Sequence, residues 1–140
     1  MTAKLRRYAE GTTVAVGKTR DELERLLGRA GATQTLMGAD KPRARILLGF
    51  SLGGRQYRLS ASTARSDKRR DPEQLEREAW RAMLLIVKAK LEVAQSGHSS
   101  IETEFLGNIV LPNGSTVADD VLPKIQAAYQ HGTMPLLLPG

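Results

Sequence analysis

Apolar positions recur along this chain with two different periods, and the change between them marks out its elements. From Asp71 to Gly97 the spacing is helical. Leu75, Ala79, Ala82/Met83, Ile86 and Val93 form one row, with Trp80, Leu84, Val87, Leu91 and Ala94 in a second row beside it. Only a strip with Arg77, Arg81, Lys88 and Glu92 is polar, and Leu85 interrupts it. Asp71 suits the N-cap, Pro72 the first helical position, Gln74 the reciprocal place of a capping box, and Gly97 the left-handed stop. These signals predict a helix of about six turns, roughly 36 Å long. A helix apolar over so much of its girth is normally covered on two sides. The sheet is therefore expected on one flank and the C-terminal helices on the other, with Trp80, Met83, Leu84, Ile86 and Val87 all buried. The longest unbroken apolar run, Ala82 to Val87, is too short to cross a membrane.

From Arg43 to Ser62 the period is two. Gly53-Gly54 predicts a two-residue hairpin turn of the primed kind, and that turn sets the register. Leu52 then faces Arg55, Phe50 faces Tyr57, Leu48 faces Leu59 and Ile46 faces Ala61, a set that is apolar apart from Arg55 and shares one face. The other face carries Ser51 with Gln56, Gly49 with Arg58, Leu47 with Ser60 and Arg45 with Ser62, with Arg43 beyond. One face is expected in the core and the other wet and basic.

The remaining elements follow from shorter signals. Thr12 to Val16 has the β-branched content of a strand. Thr19-Arg-Asp-Glu22 reads as a capping box opening a helix with Leu23, Leu26, Leu27 and Ala30 on its buried row, closed by Gly31. Thr33 to Met37 is a second strand candidate, followed by a turn over 38–42. Ser99-Ser-Ile-Glu102 starts a helix carrying Ile101, Phe105, Leu106 and Ile109, and Thr116-Val-Ala-Asp119 starts a last one ending at Gly132, with Pro123 marking its start or a kink. The order β-α-β-β-β-α-α-α predicts one α+β domain over residues 1–140: a small, twisted, mainly antiparallel sheet packed on a long central helix, with two further C-terminal helices. Residues 1–11 form a basic arm, and 133–140, with Leu136-Leu-Leu138, an apolar tail.

Composition sharpens this in one respect. The net charge is +6, but residues 1–70 hold 16 Lys/Arg against 6 Asp/Glu, a balance of +10, and residues 71–140 hold 5 against 9, a balance of −4. Such asymmetry suits either a cationic surface for nucleic acid or an acidic protein, or two halves that offset each other in the fold. There is no cysteine, which removes disulfides and thiolate metal sites. No apolar stretch follows the basic N-terminus, so no secretory signal is expected.

Several stretches resemble an uncharacterised family of bacteriophage and prophage proteins. They are Tyr8-Ala-Glu-Gly-Thr-Thr-Val14, Lys18-Thr-Arg-Asp-Glu22, Leu26-Leu-Gly-Arg-Ala-Gly-Ala32, Arg77 to Glu92, Glu104-Phe-Leu106, Leu111-Pro-Asn-Gly-Ser-Thr-Val117 and Gly132 to Leu138. The resemblance implies a phage product acting in the cytoplasm of a bacterial host, and it supplies no activity and no catalytic residues.

The residues themselves argue against an enzyme. No Ser/His/Asp set, phosphate-cradling loop or paired-histidine metal spacing is present. His98 lies just past one helix end and His131 in the last turn of another, where the dipole favours it. Asp119-Asp120 with Glu102 and Glu104 are first-turn carboxylates before they are metal ligands, and no cofactor is expected. Gly49 is ascribed with Gly53 and Gly54 to the hairpin. The favoured function is nucleic-acid binding through Arg43, Arg45 and Arg58 on the wet sheet face and Arg65, Lys68, Arg69 and Arg70 on the loop beside it. Phe50 and Tyr57 fall on the core face, which disfavours a base-stacking platform. The alternative is a protein-interaction module that binds or inhibits a host protein, for which Leu47, Leu85 and the apolar tail are candidate contacts. They are equally suited to self-association into a homo-oligomer.

Overall fold

The computed structural model describes residues 14–64 and 71–132. The N-terminal arm, the cationic stretch 65–70 and the apolar tail lie outside the described residues. Helix α1 (Val14–Arg29) is followed by strands β1 (Gln34–Asp40), β2 (Arg45–Leu52) and β3 (Arg55–Ser62). Helix α2 (Pro72–Gln95) comes next, then the single-turn α3 (Ile101–Glu104), a 3-10 turn (Leu106–Asn108) and α4 (Val117–His131). The fold is α+β. The three strands form one antiparallel sheet in the order β1-β2-β3.

The hairpin has the expected register at every position, from Leu52↔Arg55 to Arg45↔Ser62. Gly53 and Gly54 both have positive φ, 59° and 79°, as a type I′ turn demands. Phe50 stacks on Tyr57 with ring centroids 5.0 Å apart, and the edge of Phe105 closes the trio. Helices α1 and α2 pack together on this face, burying Leu23, Leu27, Ile46, Leu48, Leu59, Trp80, Met83 and Val87. Asp71 Oδ1 accepts the Gln74 N–H at 2.7 Å and Pro72 is the first helical residue of α2, so the Asp71 and Pro72 signals act as read.

The strand expected over Thr12 to Val16 is not formed in its described part, and Thr12 and Thr13 lie outside the described residues. Val14 to Val16 are the first residues of α1, and Thr19 lies inside the helix instead of capping it. A β-branched segment makes a strand only beside a neighbour. Extending a helix already nucleated and packed at Leu23 and Leu27 costs far less than starting a new element. Strand β1 also outruns its expected end, because Gly38 to Asp40 pair with Leu47 to Arg45 and the turn falls at 41–44. Arg43 is in that turn and Ala44 takes a positive φ of 48°.

The central helix is covered less fully than its pattern suggests. Trp80, Met83 and Val87 are buried and Leu84 is half-buried, but Ile86 is 43 % exposed and Leu85 64 %. The reason lies in the C-terminal segment. The third helix stops after one turn, and Lys90 Nζ, 5.6 Å above the Phe105 ring, caps its Glu104 carbonyl at 2.6 Å. The following chain goes to the far edge of the sheet, where the Val110 N–H donates to Gln56 O at 2.8 Å and Tyr57 bridges Ile109. Helix α4 therefore starts beside β3 and does not reach the open side of α2. Thr116 Oγ1 caps α4 on the Asp119 N–H, and Pro123 sits within the helix.

Candidate functional site

With its inner face on the helices, the sheet turns its other face outward, and the register sets the rows across it. Gln34, Ser51 and Gln56 share one row; Leu36, Gly49 and Arg58 the next; Gly38, Leu47 and Ser60 a third; Asp40, Arg45 and Ser62 the last. Leucine and glycine alternate in a checkerboard over the middle two rows. The absent side chains leave a trough of about 420 Å³ lined by Leu36, Gly38, Leu47, Gly49, Gln56 and Val110. Leu36 stands 78 % exposed at its rim.

Neither glycine is demanded by the backbone. A Cβ at Gly49 meets Tyr57 O at 3.7 Å, an ordinary contact, and at Gly38 nothing lies within 4 Å. Neither has positive φ. A glycine inside a strand weakens it and often marks close approach by a ligand or another backbone. Gly49 is mid-strand, four residues before Gly53 of the turn pair, so the hairpin does not explain it; Gly38 lies in β1 and not in a turn. Their coincidence across the β1–β2 pair becomes visible only once the strands are in register.

Arg45 and Arg58 both emerge on this outer face, as the alternation requires, and Arg43 stands at its rim. The structure divides them into two groups, each with an acidic partner. Asp40 Oδ2 accepts from Arg43 Nη1 and Arg45 Nε, both at 3.2 Å. Burial pushes the Asp40 carboxyl up, but the hydrogen bonds from the two guanidinium groups outweigh this and hold it below the usual carboxylate range. At the opposite end Arg58 Nη2 donates to Gly114 O at 2.9 Å, with Asp119 Oδ2 at 3.9 Å. Two guanidinium groups thus share one carboxylate, and a third faces its own. Arg65, Lys68, Arg69 and Arg70 lie outside the described residues.

Three of the four acidic residues considered as metal ligands are beside a cation: Glu102 is 2.6 Å from Arg55, Asp120 is 3.3 Å from Lys124, and Asp119 faces Arg58. Among the described residues no three His, Asp or Glu side chains gather as a metal site requires, and no helix is long and apolar enough to cross a membrane. The Phe50 and Tyr57 rings are buried on the inner face.

No family model matches the sequence, and no curated protein or solved structure matches it either.

Proposed function

We propose that the protein is a non-enzymatic interaction module, a phage accessory protein that receives a segment of a host protein on the outer face of its sheet. The single observation that carries this reading is the trough over Gly38 and Gly49, two strand glycines that neither packing nor backbone conformation requires. Its middle is apolar and its ends are polar. That suits an extended peptide with one or two apolar side chains seated between Leu36 and Leu47 and its polar backbone near Gln34, Gln56 and Ser51. The test is capture from host lysate by the unmodified protein and by the double variant Gly38→Val, Gly49→Val. The reading expects a discrete protein that survives nuclease treatment and is lost when the trough is filled. Equal capture by both forms counts against it.

Nucleic-acid binding is the second reading, favoured by the emergence of Arg45 and Arg58 on one open face and by the cationic composition of residues 65–70. Its support is thinner because Asp40 and Asp119 already answer these arginines. The triple variant Arg45→Gln, Arg58→Gln, Arg69→Gln tests it. Binding to duplex or single-stranded DNA should weaken for all sequences alike, with a salt dependence flatter by up to about three units of slope. Absence of binding by the unmodified protein at low salt ends this reading.

A further inference from the structure

Among the described residues two apolar stripes are exposed. On α2, Ala82, Ile86, Ala89 and Val93 recur in steps of four, three and four, the spacing of a helix-pairing seam. Ile86 and Val93 are 43 % and 40 % exposed. On α4, Leu122, Ile125 and Tyr129 follow in steps of three and four and are 61 %, 36 % and 88 % exposed. No residue of α4 is buried, and its chief neighbour is the 3-10 turn, where Gly107 lies close against the Ala118 methyl. The two stripes do not cover each other within one chain.

Their shapes match. The α2 stripe has its small side chains at Ala82 and Ala89, seven residues apart, and the α4 stripe has its largest at Leu122 and Tyr129, also seven apart. Two helical turns advance both pairs by about 10.5 Å, so two protruding side chains on one helix fall opposite two recesses on the other. Pairing α4 with α4 of a second copy sets Leu122 against Tyr129, large against large, and leaves the recesses of α2 empty.

We propose that the stripes are covered by a second copy of this chain, α4 of each protomer lying on α2 of its partner about a two-fold axis. That arrangement is closed and buries both stripes of both copies. Two helix contacts per protomer bring the interface towards the roughly 800 Å² per partner of a standard-size complex, which one stripe of three or four side chains does not reach. The trough on the outer sheet face plays no part in it.

Light scattering should give twice the 15.3 kDa chain mass, and Tyr129→Asp or Ile86→Asp should each give the monomer with an unchanged circular dichroism spectrum. The chain has no cysteine, so introduced thiols report the pairing directly. Leu122→Cys mixed with Ala82→Cys or with Ala89→Cys should yield a disulfide-linked heterodimer. A monomer at every concentration, as would follow if residues 133–140 covered a stripe within the same chain, overturns the proposal. So does a Leu122→Cys variant that links only to itself.

Discussion

Arg20 lies over the indole of Trp80, its guanidinium carbon 5.1 Å from the ring centroid, while its Nη2 donates to Met37 O at 3.1 Å. One side chain of α1 thereby ties the core of α2 to strand β1, at the edge of the sheet that β2 does not occupy. That edge carries Leu36 and has no charge before Asp40, the kind of strand that recruits other strands. Replacing Arg20 by Met keeps an unbranched stem but loses the charged hydrogen bond and the cation–π contact. A loss of about 2 kcal/mol is expected in urea unfolding, with concentration-dependent turbidity on warming that the unmodified protein lacks.

The two sides of α2 should respond oppositely to substitution. Trp80→Ala empties a fully buried site and should cost about 3–5 kcal/mol, enough to unfold much of the population at ambient temperature. The Trp80 Nε1 has no hydrogen-bond partner, so Trp80→Phe is expected to cost far less, since it also removes a buried unsatisfied donor. Ile86→Asp, which the sequence pattern marks as lethal to the core, should leave a cooperative domain within about 1 kcal/mol of the original, because Ile86 opens to solvent. Thermal melts of the three variants check this, recorded at concentrations low enough to exclude association.

Stability should fall at both ends of the pH range, for separate reasons. The Asp40 carboxyl ionises below its usual range in the folded chain, so the unfolded chain takes up its proton first. That contribution is complete above about pH 4 and lost as pH drops through the folded value. Burial pushes the Tyr57 phenol up, the Glu102 carboxylate adds to this and Arg55 opposes it. Its contribution is complete below about pH 10 and lost as pH rises through the folded value. Urea midpoints against pH should show both flanks, and Asp40→Asn should flatten the acid one while leaving the alkaline one in place.

The trough makes a prediction that a purely structural role for the glycines does not. Gly38→Val and Gly49→Val add β-branched side chains to strands with room for them. Each should stabilise the domain by about 0.5–1 kcal/mol. Capture of the partner should be lost at the same time. A variant that melts higher yet binds as before would show that the trough is idle.

Local rules sufficed wherever a few neighbouring residues set the outcome. The glycine turn and the alternation beside it determined the β2–β3 register, which of Phe50 and Arg58 points inward, and the burial of Phe50 and Tyr57. The caps at Asp71 and Thr116 acted as their chemistry dictates, because a cap needs only the first turn it closes. The α+β class followed from the sequence of periods.

What the tertiary structure alone decided depends on which elements become neighbours. Thr12 to Val16 has strand composition, yet its described part extends α1, since among the described residues no strand stands beside it to pair with. Ile86 belongs to an apolar row and is exposed, because the chain after α3 follows the edge of β3 and leaves that side of α2 open. Arg43, Arg45 and Arg58 read as a cationic face, but the fold places Asp40 and Asp119 against them, the second from 61 residues away in sequence. The trough arises where Gly38 and Gly49, on separate strands, come to lie diagonally next to each other. Periodicity reports which side of an element is apolar; what covers that side, and which charge meets which, is set by contacts between residues distant in the chain.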